Sequence, residues 1–180
     1  MVGAGLKLLH LKRGGEYWRV ADPDWTNPMD GRSGMASGGR WNAPASFPAV
    51  YLNGSVSLAR LFVAHKLHDQ PYGPEDLDPD SAPVLVTTDI AEGDFVDIVT
   101  DAGCAAAGLP ETYPIDTSGE VIRHETCWPI GQAAWNQGER GIACRSATRG
   151  ASKSEELAWF QRNRKLLVKE SERFVDWFFG

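Results

Sequence analysis

The stretch Gly38-Gly39-Arg40-Trp41-Asn42-Ala43-Pro44 holds the residue types best suited to chemistry in this 180-residue chain. Two adjacent glycines permit backbone torsions and close approaches that a Cβ resists. An arginine beside an indole and an amide suits an anion joined to a flat ring: the guanidinium offers a planar donor fork to phosphate oxygens, and the indole offers a wall or a stacking plane. The same spacing also fits a Gly-rich turn whose arginine pairs with a core carboxylate while Trp41 packs inside, because Gly-rich patterns are weak signals on their own. Other chemistries find less support. Gly3-Ala4-Gly5 lacks the third glycine and the preceding strand of a dinucleotide fingerprint, and reads as a frayed terminus. There is no P-loop, no HExxH pair and no Gly-x-Ser-x-Gly elbow. His65 and His68 fall at i, i+3, but no acid or cysteine repeats that face, so a surface or packing role outweighs metal ligation. Ser146 with His124 would make a hydrolase pair, but no third group supports it.

The elements that would position these residues are short. Glu16-Tyr-Trp-Arg-Val20 is rich in strand formers and carries Arg19. Ala21 to Gly39 is a long polar loop, of a length that in a small domain usually serves function. Ala49 to Leu52 is a second strand, carrying Tyr51 and closed by Asn53-Gly54. Ser55 caps a helix reaching about His68, with Leu58, Leu61, Phe62 and His65 on one face. Asp69 to Pro83, with its prolines and acids, is an exposed excursion. Val84–Ile90 and Phe95–Val99 predict two strands about an Ala-Glu-Gly-Asp turn, and Ala102 to Gly108 a short helix. Pro129 to Gln137 predicts a helix, and Gly141 to Cys144 a strand leading into a loop with Ser146. Glu156–Phe160, Lys165–Val168 and Arg173–Phe179 predict strands. Short strands with two or three helices imply an α+β domain around a strongly bent, mixed or antiparallel sheet.

Composition narrows the field. A hydrophobic fraction of 42% and a charged fraction of 23% are those of an ordinary globular protein. Net charge is −6, which argues against duplex nucleic acid as a direct partner. The chain has no apolar run of membrane-spanning length, and its first 15 residues lack a signal-peptide pattern. Three cysteines without a CxxC pair signal neither a disulfide framework nor zinc, so a reducing cytoplasm is the expected setting. Asn53-Gly54-Ser55 is then a turn rather than a glycosylation site. Seven tryptophans default to core, although indoles also stack on ligand rings.

Taken in order, Trp18-Arg19, Ser33-Gly34, Gly38-Gly39-Arg40-Trp41-Asn42 and Tyr51 resemble the N-terminal signature of the RES domain. Gly131 through Trp135, Gly141-Ile142, Ser146-Ala147 and Leu157-Ala158-Trp159-Phe160 resemble its second block. The likeness spans roughly residues 17 to 160, within a single domain of residues 1–180. Outside the signature lie an extension over 1–15, the Pro/Asp-rich loop 69–83 and a C-terminal segment 161–180. This resemblance implies an ADP-ribosyltransferase-like fold and the toxin half of a bacterial toxin–antitoxin pair. It implies NAD as the substrate, cleaved at the nicotinamide–ribose bond by hydrolysis or phosphorolysis, with no metal; the alternative is transfer of ADP-ribose to a protein acceptor. The depleting version is preferred, because no feature points to such an acceptor. The implied partner is a small helix-turn-helix antitoxin of the Xre type, in a homodimer or a larger toxin–antitoxin assembly. Arg19 and Arg40 would hold the pyrophosphate or the nicotinamide ribose, Tyr51 would line the nicotinamide side, and Ser146 would hydrogen-bond in the pocket, with Trp41 and Asn42 beside them. The family carries a glutamate on the helix after the tyrosine strand; counted without gaps from Tyr51, that position is Phe62, which neither accepts a hydrogen bond nor balances a charge. Either Glu125, Glu155 or Glu156 reaches the pocket from another element, or arginine, tyrosine and serine suffice, or the protein binds a nucleotide or its partner without turnover. Arg145 and Arg149 could add cations near the mouth, although a solvated loop accounts for both.

Overall fold

Two long strands, β1 (His10–Ala21) and β3 (Val84–Ile98), run antiparallel along almost their whole length in this computed structural model, which describes residues 5–148, 150–151 and 153–180. Between them the sheet continues the other way round. β1 meets β2 (Ala49–Asn53) at Trp18↔Asn53, β2 pairs antiparallel with β5 (Glu155–Phe160), β5 with β4 (Gly141–Arg145), and β4 runs parallel to the end of β3. Because β3 also pairs with β1, these five strands roll into a closed path, and β6 (Glu170–Glu172) adds to Leu85–Thr87 of β3. The expected α+β domain with a strongly bent mixed sheet is the observed one. Its single parallel pair requires a long crossover, which contains α2 (Asp101–Ala106) and α3 (His124–Asn136).

β5 shows why one apolar run was needed. Leu157 and Trp159 belong to one buried cluster, Ala158 and Phe160 to another, so both faces of the strand are covered. The cluster of Ala158 and Phe160 lies beneath α2 and α3, with Trp41 and Phe47 in it; a third joins α1 (Val56–Leu67) to α4 (Phe174–Trp177) through Ala59, Val63, Phe174 and Trp177.

Several boundaries differ from the sequence expectation. Val84–Ile90 and Phe95–Val99 are not a strand-turn-strand but one strand, because β1 starts earlier, at His10, and pairs straight through Gly93. The irregularity is a bulge in β3, where Ala91 and Glu92 stand opposite the single Gly14, which packs so tightly that a Cβ would sit 2.7 Å from Glu92 Cα. α3 starts at His124, with Pro129 inside it rather than opening it. Lys165–Val168 is not a strand, and the pairing falls instead on Glu170–Glu172. Arg173–Phe179 is not a strand either: Phe174–Trp177 is helical, because its aromatic rings pack on one another and on the α1 side of the sheet. Arg60 of α1 donates to Trp177 O at 3.1 and 2.8 Å and to Gly180 O at 2.9 Å, satisfying carbonyls that the short helix leaves open. Ser55 caps α1 as expected, accepting from Leu58 N at 3.1 Å.

Candidate functional site

The Gly38–Asn42 loop is fixed by its own glycines and by Tyr51. Gly38 has φ +69, and a Cβ there would stand 2.5 Å from Asn42 O. At Gly39 a Cβ would meet the Tyr51 ring at 2.5 Å, so only glycine lets the ring lie against the loop. The Tyr51 hydroxyl accepts from Trp41 N at 2.9 Å and donates to Asn42 Oδ1 at 2.5 Å, while Asn42 Nδ2 donates to Phe47 O at 3.0 Å. Trp128 Nε1 donates to Gly39 O at 2.9 Å from α3. Burial pushes the Tyr51 phenol above its ordinary range, so it stays neutral. Tyr51 therefore orients the loop with its hydroxyl and lines the cleft with its ring.

Arg19, Arg40 and Tyr51 line one cleft of about 840 Å³, within the range of about 300–1,000 Å³ usual for small-molecule sites. Arg19 Nη1 donates to Pro28 O at 2.5 Å, and its guanidinium lies 5.2 Å from the centre of the Trp25 ring. Arg40 Nη1 donates to Ile122 O at 2.8 Å. Among the described residues neither arginine forms a salt bridge, so the alternative of an arginine spent on a core carboxylate does not describe Arg40. Burial lowers the pKa of Arg19, as expected of a partly enclosed cation without a counter-ion. Each guanidinium keeps donors for an incoming anion.

The other residues singled out in the sequence take different places. Trp41 and Asn42 are buried, Trp41 completely, and the Asn42 amide is spent on Tyr51 and Phe47; both support the loop from behind. Ser146, also buried, lines an adjoining cleft of about 940 Å³, and its Oγ accepts from Thr148 N at 3.1 Å. The hydrolase pair is not formed: no hydrogen bond joins Ser146 to His124, which lines the arginine cleft instead. Phe62 stands on the α1 side of that cleft, with Lys66 Nζ 4.7 Å from its ring centre.

Of the three acids considered for the cleft, Glu125 is exposed on the first turn of α3, and Glu155 is held by Arg13 through two bonds of 2.8 and 2.9 Å. Glu156, half-buried, lines the cleft together with the arginines. Burial raises its pKa, opposed by the Ser146 hydroxyl, the charge of Arg40 and the Ala147 N–H. Arg145 is committed to Val99, Glu111 and Tyr113 carbonyls and to Asp101, which places it in the crossover rather than at the ligand; Arg149 lies outside the described residues. Sequence reasoning missed Trp25 and the Leu77, Ser81 and Pro83 end of the acidic excursion, all of which border the cleft. Only the length of the 21–39 loop hinted at the first. Among the described residues no three His, Cys, Asp or Glu side chains cluster as a metal site, and no helix is long and apolar enough to cross a membrane.

A rolled α+β sheet with an arginine-lined cleft at one end defines the class of architecture. The chain belongs to the RES-domain family, whose profile matches residues 16–175. It is similar to the NAD(+) phosphorylase MbcT of Mycobacterium bovis and of Mycobacterium tuberculosis, 29% identical over 116 residues. That match covers 63% of this chain and 58% of theirs, so little more than half of those relatives' length is spanned. The crystal structure of the M. tuberculosis MbcT–MbcA toxin–antitoxin complex contains a chain with the same fold, at TM-score 0.73 and 21% identity, over 95% of this chain and 92% of that one.

Proposed function

We propose that this protein is an NAD-consuming enzyme that breaks the nicotinamide–ribose bond, and that it serves as the toxin of a cytoplasmic toxin–antitoxin pair. The observation that carries the reading is the convergence of Arg19 and Arg40, each without a carboxylate partner among the described residues, on a single cleft of dinucleotide scale. Two guanidiniums facing one cavity match a diphosphate: each offers a planar fork to its oxygens, and the low-dielectric walls strengthen the attraction. Tyr51 supplies an aromatic edge beside them for the nicotinamide. When the C–N bond breaks, its electron pair leaves on the nicotinamide nitrogen and neutralises that ring, while positive charge moves to ribose C1′. Fixing the diphosphate and the ring holds the bond where this charge can be met.

Phosphate is the favoured acceptor, in keeping with the activity named for the mycobacterial relatives; its oxygen adds to C1′ and gives ADP-ribose 1″-phosphate. Water in the same place gives ADP-ribose. The partner is a small antitoxin of the helix-turn-helix type that covers the cleft. The test is nicotinamide release by the purified chain at fixed NAD, with and without phosphate, with the ribosyl product resolved by mass. Release that rises with phosphate and yields the 1″-phosphate supports the reading. Bound NAD with no release under either condition refutes the enzyme and leaves a binding module, the alternative that Phe62 in the cleft wall motivates.

A further inference from the structure

Cleavage leaves a cation at ribose C1′, and a cleft furnished only with arginines would oppose it. The α1 position that could carry a carboxylate is Phe62, whose ring reaches the cleft without any acceptor. Two acids border the cleft, Asp22 and Glu156. Asp22 is exposed and its carboxylate accepts from Asp24 N at 2.9 Å in a local turn. Glu156 differs in kind. It sits on β5 between β2 and β4, in register with Asn53 on one side and Cys144 on the other, and all three line the cleft. Residues in register across neighbouring strands share a face of the sheet. The row Asn53–Glu156–Cys144 is therefore a rigid floor, with Tyr51 two residues along on the same face of β2.

We infer that Glu156 is the catalytic carboxylate of this cleft, facing the ribose from the sheet, in the role that an acid on α1 would otherwise fill. This deepens the proposed NAD cleavage and rests on it. Glu156 remains ionised and forms no covalent bond. The C1′–N bond breaks, its electron pair departs with nicotinamide, the carboxylate stabilises the ribosyl cation, and a phosphate or water oxygen then captures C1′. Ser146 is a positioning residue: it lines the adjoining cleft beside Ala147, and both favour the ionised form of the carboxylate. Arg40 lines the same cleft as Glu156, and its charge favours the ionised form of the carboxylate without an ion pair between them.

The experiment compares wild type, Glu156→Gln, Phe62→Glu and the Glu156→Gln/Phe62→Glu double variant, measuring nicotinamide release at saturating NAD and NAD affinity by calorimetry. Glutamine keeps the shape but removes the charge. The expected result is a loss of about a hundredfold or more in kcat, the scale of losing one charge-stabilising group, with NAD affinity within about threefold of wild type (under ~1 kcal/mol,). Partial return of turnover in the double variant supports the same conclusion, since the charge is restored from the opposite wall. Glu156→Gln turning over within about threefold of wild type, a change well below that scale, overturns the assignment of Glu156 alone. A wild-type protein that binds NAD and releases no nicotinamide overturns the cleavage reading, and this one with it.

Discussion

Arg19 separates a structural arginine from a ligand-holding one, and Arg19→Met is the perturbation that tells them apart. Among the described residues its guanidinium has one hydrogen bond, to Pro28 O at 2.5 Å, and one ring contact, with Trp25 at 5.2 Å. Removing the hydrogen bond costs about 1 kcal/mol, and removing the contact with the exposed Trp25 about 0.5–1 kcal/mol. Against these losses stands relief from partly burying a cation that no described carboxylate balances, while methionine keeps most of the packing. The two sides nearly cancel, so the free protein should change by no more than about 1 kcal/mol, or roughly 2–4 °C in Tm for a chain of this size. With NAD the balance is one-sided. Charge-assisted bonds to a phosphate are worth about 1.5–3 kcal/mol, which corresponds to roughly a 10- to 150-fold weaker Kd. Thermal melts without ligand and NAD titration by calorimetry measure both halves. A free protein that melts far lower while NAD affinity stays within twofold would refute the reasoning and make Arg19 a framework residue.

Gly39→Ala forces a Cβ to within 2.5 Å of the Tyr51 ring; the overpacking should cost about 1–3 kcal/mol, seen as a lower Tm, and should weaken NAD binding as Arg40 moves with its loop. Glu156→Gln should raise Tm at pH 7.5, with the gain shrinking toward pH 4. Burial raises the Glu156 pKa in the folded chain, so the stability it contributes is fully present below the unfolded pKa and is lost as pH rises through the folded one; equal Tm gains at both pH values would contradict this. Ser146→Ala removes a hydroxyl that lowers the Glu156 pKa, so the acid limb of kcat should move to higher pH with NAD affinity nearly unchanged, and Ser146→Thr should move it back. Loss of affinity without movement of the limb would place Ser146 against the ligand instead.

The residues of the Gly38–Asn42 loop and the strands around it were legible in the chain itself, because their meaning is local. A positive φ and a capping serine depend on neighbours a few positions away, and Arg40 was marked by such neighbours, whereas Arg19 and Tyr51 were marked by the order of motifs that resembles the RES domain. Trp41 and Asn42 carry the same signature yet face inward, since which side of a loop is covered depends on α3 and β2 packing over it. The stretch Val84–Ile98 reads as two strands from its Glu-Gly-Asp punctuation, and becomes one only because β1 runs alongside and pairs with it on both sides of a bulge at Ala91 and Glu92. The choice of acid was decided by tertiary structure alone. Glu155 and Glu156 are adjacent and chemically alike, but strand alternation sends them to opposite faces, one to Arg13 and the other to the cleft. A slip of one residue in the pairing of β5 would exchange them, and that register is set by the strands on either side and the apolar faces they bury, which no count along the sequence contains.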